Sequence, residues 1–245
     1  MYRCLTVKNL LAMTFPELVE AYLNRLAAKW ARMAETQILN TIGAATTGVL
    51  AQDLGYGGST SIVTTILTLI ALHQESSRWD VNGNMVALLP RWVMSAMKAD
   101  LYRQRRTDGG SRRLASDAEI NALFRDAGVN PLWFIDTPTW AETVPAVQSG
   151  GMLNFFPTTV SMVIAPQGKF AVMDRGELRI GVTGNNIYRD NSSNTTNDFT
   201  YFFESFEGVV DTDSCPAYQL EIPACWSGVQ IADVALECDG TLVGS

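Results

Sequence analysis

The most constraining feature of this sequence is a long amphipathic segment that begins at Thr14. Thr14 and Glu17 have the spacing of a capping box, in which each side chain accepts a hydrogen bond from the backbone N–H of the other residue. Pro16 fits the first turn, whose N–H groups have no partner within the helix. Apolar side chains then recur every three or four residues, at Leu18, Tyr22, Leu26, Trp30 and Met33. The pattern predicts one helix from Thr14 to about Ile42, which is long compared with a mean of about 12 residues.

The middle of the chain alternates helical and strand patterns. Its predicted elements are a helix with Ile62, Ile66, Leu69, Ile70 and His73 on one face, a strand at Met85–Leu89, a helix opened by Pro90, a helix capped by Ser116 and Glu119 that ends near Gly128, and a strand at Leu132–Ile135. This order predicts a compact α/β subdomain from Ser59 to Thr137.

From Thr158 onward the sequence is typical of β-structure. Turn residues separate three short apolar runs, at Val160–Ala165, Phe170–Met173 and Glu177–Val182. A tract rich in Asn, Ser and Thr, which favour turns, then precedes an aromatic run. The spacing of the aromatic residues also fits a helix, but the flanking turns favour one long last strand at Phe199–Val210.

The composition favours a folded protein with extensive subunit contacts. Of the 245 residues 47% are apolar, but only 18% are charged, against about 25% in an ordinary soluble domain. Part of the exterior is therefore expected to face other subunits, although a monomer with a surface of Ser, Thr and Asn is an alternative. The net charge of −7 argues against wrapping of nucleic acid, which needs many cations, but does not exclude DNA on one face.

The four cysteines and one histidine do not predict a metal site. No Cys-x-x-Cys spacing occurs, so we expect buried thiols, with a Cys215–Cys225 disulfide as the less favoured alternative. The longest apolar run, Ile62–Leu72, is shorter than the roughly 20 residues that span a bilayer, and no signal peptide is evident. These features predict a protein of a reducing cytoplasm without a membrane partner.

No catalytic or cofactor-binding pattern is present in the sequence. His73 lies on an apolar helix face without a serine or cysteine motif nearby, so we interpret it as structural. Gly55–Gly58 lacks the lysine of a phosphate-binding loop and is interpreted as a hinge. For a small enzyme of the α/β class, the only plausible acids are carboxylates such as Asp136 and Glu142.

The strongest charge cluster is formed by arginines. They are predicted to lie on a polar loop between Arg103 and Ser116: Arg103, Arg105, Arg106, Arg112 and Arg113. Arginine makes forked contacts with carboxylates, which suits a subunit junction. The alternatives are a solvated loop and, least favoured, DNA contact.

Three separated parts of the sequence together resemble one family. The segments are Leu5–Leu10 with Thr14–Glu20, then Ala87–Val93 with Lys98–Leu101, and finally the polar tract and aromatic run that close at Phe206-Glu207-Gly208. In this order they are similar to segments of tailed-bacteriophage major capsid proteins, which have the Hong Kong phage-type fold. The resemblance extends over roughly Leu5 to Cys225.

This resemblance implies an α+β fold with two domains. It implies that residues 1–58 belong to the peripheral domain with its spine helix, that 59–156 form the axial domain, and that 157–245 hold strands that return to the peripheral domain, plus a tail. The Arg103–Arg113 loop would then lie at the tip of the axial domain, near the centre of a capsomer.

The resemblance also implies a structural function without catalysis or cofactors. The chain would self-assemble through pentamers and hexamers into an icosahedral head, formed in the cytoplasm of a bacterial host. The head would enclose DNA without sequence-specific contact and could bind scaffold, portal or decoration proteins. An encapsulin-type nanocompartment and the small enzyme are the alternatives.

The sequence differs from this family at its start. The family has an N-terminal arm and an extended loop before the spine helix, whereas thirteen residues precede Thr14 here. Both elements are therefore expected to be absent. Since they supply much of the contact between subunits, the chain is expected to fold but not to close a stable shell alone.

Overall fold

The computed structural model describes residues 2–8, 14–51, 57–77, 84–107, 113–144, 156–174, 179–185, 198–204, 207–212, 215–224 and 226. The chain divides into two compact units. The first contains Met1–Thr41 and Ala171–Val210, and the second contains Ile42–Phe170 and Asp211–Ser245. These limits differ from the predicted ones at residues 58 and 156.

Helices and strands are mixed along the chain, as expected for the predicted α+β class. The helices are α1 Pro16–Ala44, α2 Gly58–Ser77, α3 Arg91–Thr107 and α4 Asp117–Asp126. The strands are β1 Tyr2–Lys8, β2 Thr47–Leu50, β3 Met85–Pro90, β4 Val129–Phe134, β5 Thr159–Pro166, β6 Phe170–Asp174, β7 Arg179–Asn185, β8 Asp198–Glu204, β9 Glu207–Asp211 and β10 Tyr218–Pro223. The predicted α+β class is therefore confirmed.

The first unit combines most of α1 with a three-stranded antiparallel sheet. The sheet has the order β1-β8-β7, so the aromatic strand β8 lies in its centre. Tyr2 of β1 and Arg179 of β7 both pair with Glu204 of β8. A central position suits aromatic residues, which pack well on a pleated surface with neighbours on both sides.

The predicted single strand at Phe199–Val210 is wrong. The structure has two strands there, β8 and β9, and they belong to different sheets: β9 pairs with β6 rather than with β1 or β7. The prediction failed because an uninterrupted apolar pattern does not reveal a change of pairing partner. It is not the last strand either, since β10 follows at Tyr218–Pro223.

Helix α1 has the predicted length of 29 residues but a different buried face near its start. Leu18 and Tyr22 of the predicted stripe are 60% and 53% exposed, whereas Val19 is buried. Further along, Trp30 and then Ala34 and Leu39 are buried. A shift of one residue turns the face by about 100°, and the apolar residues of this helix permit both choices. The capping box predicted for Thr14 stays a prediction.

The second unit is built on a five-stranded mixed sheet with the order β2-β10-β5-β3-β4. Strands β3 and β4 are parallel, as are β2 and β10, and the remaining pairs are antiparallel. The predicted strand at β3 is confirmed, and β4 begins at Val129, three residues before the predicted strand at Leu132–Ile135. The sheet also contains β5, which was predicted among the strands that return to the other domain, and β10, which was not predicted.

The core of the second unit lies between this sheet and helices α2, α3 and α4. Its fully buried members include Ile62, Ile66, Val93, Met97, Ile120, Phe124, Met162, Ile164, Leu220 and Ile222. The predicted apolar face of α2 is confirmed, because Ile62, Ile66 and Leu69 are all buried. Gly57, part of the predicted hinge, has a φ of +91° that favours glycine, and Gly58 begins α2; Gly55 lies outside the described residues.

Helix α4 has the capping box predicted for it. The N–H of Glu119 donates to Ser116 Oγ at 3.2 Å, and the N–H of Ser116 donates to Glu119 Oε2 at 2.9 Å. The two bonds satisfy backbone donors that would otherwise lack partners in the first turn, which explains why the helix begins here.

Candidate functional site

The arginine cluster lies partly on a helix rather than wholly on the predicted loop. Helix α3 continues to Thr107, so Arg103 and Arg105 lie on its last turns. Arginine and glutamine are good helix formers, and no glycine interrupts the segment before Gly109, so α3 has no reason to end at Arg103. Arg112 and the side chain of Arg106 lie outside the described residues.

Two arginines of the cluster meet on the carboxylate of Glu119. Arg105 Nη2 lies 3.5 Å from Glu119 Oε2, and Arg113 Nη2 lies 3.2 Å from Glu119 Oε1. The N–H of Ser116 and the two guanidinium groups hold the pKa of Glu119 below its usual 4.5, with the Ser116 bond as the largest cause. The structure therefore brings two of the predicted site residues together on a carboxylate of this chain.

Arg103 makes a different contact from Arg105 and Arg113. Its Nη1 donates to the carbonyl oxygen of Trp226 at 2.7 Å. The indole N–H of Trp226 in turn donates to the carbonyl oxygen of Pro157 at 2.6 Å. Arg103 thus connects the end of α3 to Trp226, which follows β10, and through Trp226 to Pro157, which precedes β5. This role is structural.

A second carboxylate in the first turn of α4 also binds two cations. Asp117 accepts hydrogen bonds from Lys98 and from Arg91, the latter at 3.4 Å. The pKa of Asp117 is lowered, mainly by the Lys98 hydrogen bond. The sequence analysis missed this group because residues 91, 98 and 117 are far apart in sequence. Only the preference of acids for a helix N-terminus could have pointed to it.

His73 is a buried structural histidine. Its side chain is on the inner face of α2, with only 1% of the residue exposed. Nδ1 lies 3.3 Å from the hydroxyl of Tyr218 on β10, and the two rings meet edge to face at 5.8 Å between centroids. Burial lowers the pKa of His73 below 6.5 and raises the pKa of Tyr218 above 10.0.

Acidification is therefore expected to destabilise the chain through His73. Because the folded pKa lies below the unfolded value, the unfolded chain binds a proton that the folded chain lacks. This contribution to the unfolding free energy is complete above about pH 6.5 and is lost as the pH falls below that value. Urea unfolding between about pH 7.5 and 5.5 measures it, and His73→Gln should make the dependence flatter.

The two carboxylates in the first turn of α4 do not interfere with this measurement. The lowered pKa values of Asp117 and Glu119 make their contributions fall only as the pH passes below 3.8 and 4.5, which is outside the range. If wild type and His73→Gln lose stability in parallel, another group is responsible.

Glu142, a candidate acid for the alternative enzyme, is engaged in structural hydrogen bonds. Its Oε1 accepts the hydroxyl of Ser161 at 2.8 Å, and its Oε2 accepts the N–H of Ser161 at 3.0 Å. Its carbonyl oxygen accepts the indole N–H of Trp92 at 3.0 Å. Glu142 thus ties a loop to strand β5 and to helix α3. Asp136, the other candidate, is half-buried.

The described ranges show neither a metal-binding cluster nor a membrane-spanning helix. They contain no cluster of three or more His, Cys, Asp or Glu residues that could hold a metal ion. None of their helices is both long and apolar enough to cross a bilayer. Cys225 lies outside them, so the Cys215–Cys225 alternative stays a prediction.

The whole fold of this chain is similar to solved capsid structures. The match to the capsid of Myoviridae phage XM1 covers 90% of this chain and 72% of the XM1 capsid chain, with a TM-score of 0.53 and 13% identity. The match to the capsid of the native GTA particle covers 91% of this chain and 72% of the GTA capsid chain, with a TM-score of 0.51 and 13% identity. This chain has the tailed-phage capsid fold.

A third capsid extends the agreement. The match to the capsid of cyanophage P-SCSP1u covers 90% of this chain and 71% of the cyanophage capsid chain, with a TM-score of 0.50 and 11% identity. No protein-family model matches the sequence. No curated protein matches it either. The structure therefore confirms the phage capsid fold that short sequence segments predict, although the sequence identity to these capsids is only 11–13%.

Proposed function

We propose that this chain is a major capsid protein, which self-assembles into the icosahedral head that encloses phage DNA. The observation that carries the proposal is the match of about nine-tenths of the chain to three capsid subunits. Pentamers and hexamers of the chain would form the shell, inside the host cytoplasm, and the protein would remain in the virion. Packaged DNA would touch it without sequence-specific contact, and scaffold, portal or decoration proteins would be further partners.

The two alternatives receive less support. The solved structures that resemble the chain are capsids of phages and of GTA particles, which favours a viral head over an encapsulin-type compartment. Glu142 has both carboxylate oxygens bonded to Ser161, which leaves it poorly suited to proton transfer in a small enzyme. We therefore propose a structural protein without a cofactor and without catalysis.

We propose that the two units correspond to the two domains that the resemblance implies. The unit with the long helix α1 and the sheet β1-β8-β7 would be the peripheral domain, with α1 as its spine helix. The unit with the five-stranded sheet would be the axial domain. The axial domain would then include β5 and β10 as well as residues 59–156.

The arginine cluster is proposed to lie at the tip of the axial domain, where neighbouring subunits meet. Arg113 supports this proposal because its side chain is 68% exposed although it binds Glu119. A guanidinium group with several N–H donors can bind a second carboxylate while it keeps the first. A structure of the assembled particle with the Arg103–Arg113 segment beside helix α1 would contradict this placement.

Assembly of the purified chain tests the proposed function. Analytical ultracentrifugation over a hundredfold range of concentration should show oligomers that grow with concentration, because each association must offset about 4–15 kcal/mol of lost freedom of motion. Electron microscopy of the concentrated sample should show rings of five or six subunits. A monomer of 26.8 kDa at every concentration would contradict the proposal.

A further inference from the structure

The outer face of helix α2 carries no charge over most of its length. Between Gly58 and Gln74 the helix has no Asp, Glu, Lys or Arg, and Glu75 is its first charged residue. Its exposed residues in this stretch are Thr60, Leu67, Thr68, Ala71 and Leu72. A helix that faces water normally has charged residues on its outer side. Helix α1 follows that rule, with exposed Glu20, Arg25, Lys29, Arg32 and Glu35.

Strand β2, beside α2 in the second unit, is an open and equally uncharged sheet edge. Among the strands that the structure describes, it pairs only with β10, on one side. The N–H of Thr47 donates to Ala217, next to β10, and the N–H of Ala51 donates to Glu221 of β10. Because backbone direction alternates along a strand, the N–H and C=O of Gly48 and Leu50 point away from the sheet. Leu50 is 80% exposed. Such an edge is a template for another strand.

The opposite edge of the same sheet is different. Strand β4 contains Pro131, which cannot donate a backbone hydrogen bond. Residues of that kind protect an edge from pairing with other chains. Strand β2, Thr-Gly-Val-Leu, contains neither a proline nor a charge. The lack of protection is therefore specific to one edge.

A groove of about 250 Å³ joins the strand edge to the helix. Its apolar lining comes from Val49 and Leu50 of β2, Leu69 and Leu72 of α2, and Leu220 of β10. Exposed Leu50 and Leu72 form its rim, and buried Leu69 and Leu220 lie deeper. The groove can take an apolar side chain from a segment that pairs with β2.

We propose that this surface, the α2–β2 face formed by Gly48, Leu50, Leu67, Thr68, Ala71 and Leu72, binds a second copy of this chain. An extended segment of the neighbouring copy would add to the edge of β2 and place an apolar side chain in the groove. The inference rests on the proposed function, since it assigns one of the contacts through which the shell protein assembles.

The charge of the chain supports a second copy as the occupant. Each copy carries a net charge of −7, so two copies repel each other where their charged surfaces meet. Contact through an uncharged face avoids this repulsion. The centres of protein interfaces are likewise depleted of charged residues.

A charge placed on this face should weaken assembly. Leu72→Glu adds a carboxylate at a position that is 56% exposed, so the folded monomer should tolerate it. We expect assembly to require at least about a tenfold higher protein concentration, since the carboxylate must lose water on contact. Leu132→Glu is the matched control, because Leu132 lies on the opposite edge strand and is 48% exposed; it should assemble as the wild type does.

A second pair of variants tests the strand edge itself. Gly48→Pro removes the outward N–H of β2, whereas Gly48→Ala keeps it, and a Cβ at this position meets nothing within 4 Å. Gly48→Pro should weaken assembly by a similar factor, and Gly48→Ala should not. This pair also decides the matter if Leu72→Glu lowers the melting temperature.

The outcomes separate this inference from the proposed function. If the wild type assembles and both Leu72→Glu and Gly48→Pro assemble equally well, the α2–β2 face is not the contact, although the chain is still a shell protein. If Leu132→Glu weakens assembly as much as Leu72→Glu does, the effect is one of net charge and the inference is wrong. A wild type that stays monomeric overturns both.

Discussion

Trp92→Ala is expected to destabilise the chain by about 3 kcal/mol, the low end of the range for removing a large aromatic side chain, because Trp92 packs against the core but is only half-buried. The indole ring of Trp92 stacks on Phe156 at 6.1 Å and meets Trp226 edge to face at 6.3 Å between centroids. Its N–H donates to the carbonyl oxygen of Glu142 at 3.0 Å. The substitution removes all three contacts, and the loss is a large part of the typical total stability of about 5–15 kcal/mol.

Urea unfolding of wild type, Trp92→Ala and Trp92→Phe measures this effect. Phenylalanine keeps an aromatic ring against Phe156 and Trp226 but loses the N–H donor, so Trp92→Phe should cost only about 1–2 kcal/mol. The difference between the two variants separates packing from hydrogen bonding. An unchanged unfolding midpoint for Trp92→Ala would show that the indole does not contribute to the core.

Local patterns in the sequence predict the helices of this fold well, because the interactions that start a helix lie within a few residues. Ser116 and Glu119 are three residues apart, and their capping box marks the start of α4 in both sequence and structure. The face of α2 that contains Ile62, Ile66 and His73 is likewise set by spacing along one helix.

Pairing between distant strands could not be predicted in this way. Strand β5 lies between β3 and β10, which are separated from it by about 70 and 50 residues in sequence. The apolar pattern of each strand specifies burial but not its neighbour. The same limitation explains the predicted strand at Phe199–Val210, which the structure divides between two sheets.

The candidate site was likewise predictable from sequence only in part. The sequence shows the arginines near residue 105 as a charge cluster, but it predicts that their carboxylate partners lie on a neighbouring subunit. In the structure Glu119 binds Arg105 and Arg113, because the box that caps α4 holds its carboxylate beside the end of α3. The groove between Leu50 and Leu72 joins residues 22 positions apart and has no signature in sequence.

Glu142→Ala is expected to cost about 2–4 kcal/mol, since it leaves buried donors without partners. Ser161, whose N–H and hydroxyl both donate to the carboxylate of Glu142, is only 1% exposed. Alanine can accept neither bond, and water does not reach a residue buried to this degree without local opening. Urea unfolding measures the loss. Glu142→Gln keeps one carbonyl acceptor and should lose about half as much.

A double-mutant cycle with Ser161→Ala distinguishes a structural carboxylate from a catalytic one. If Glu142 acts through Ser161, the two substitutions should be non-additive by at least about 0.5 kcal/mol, because Ser161→Ala already removes one of the two hydrogen bonds. Removal of a catalytic carboxylate is expected to have the opposite effect on stability from removal of a structural one. Active sites hold polar groups at a cost to stability, so their removal commonly stabilises the fold. A Glu142→Ala variant that is as stable as the wild type would therefore contradict the structural role and return Glu142 to consideration as an acid.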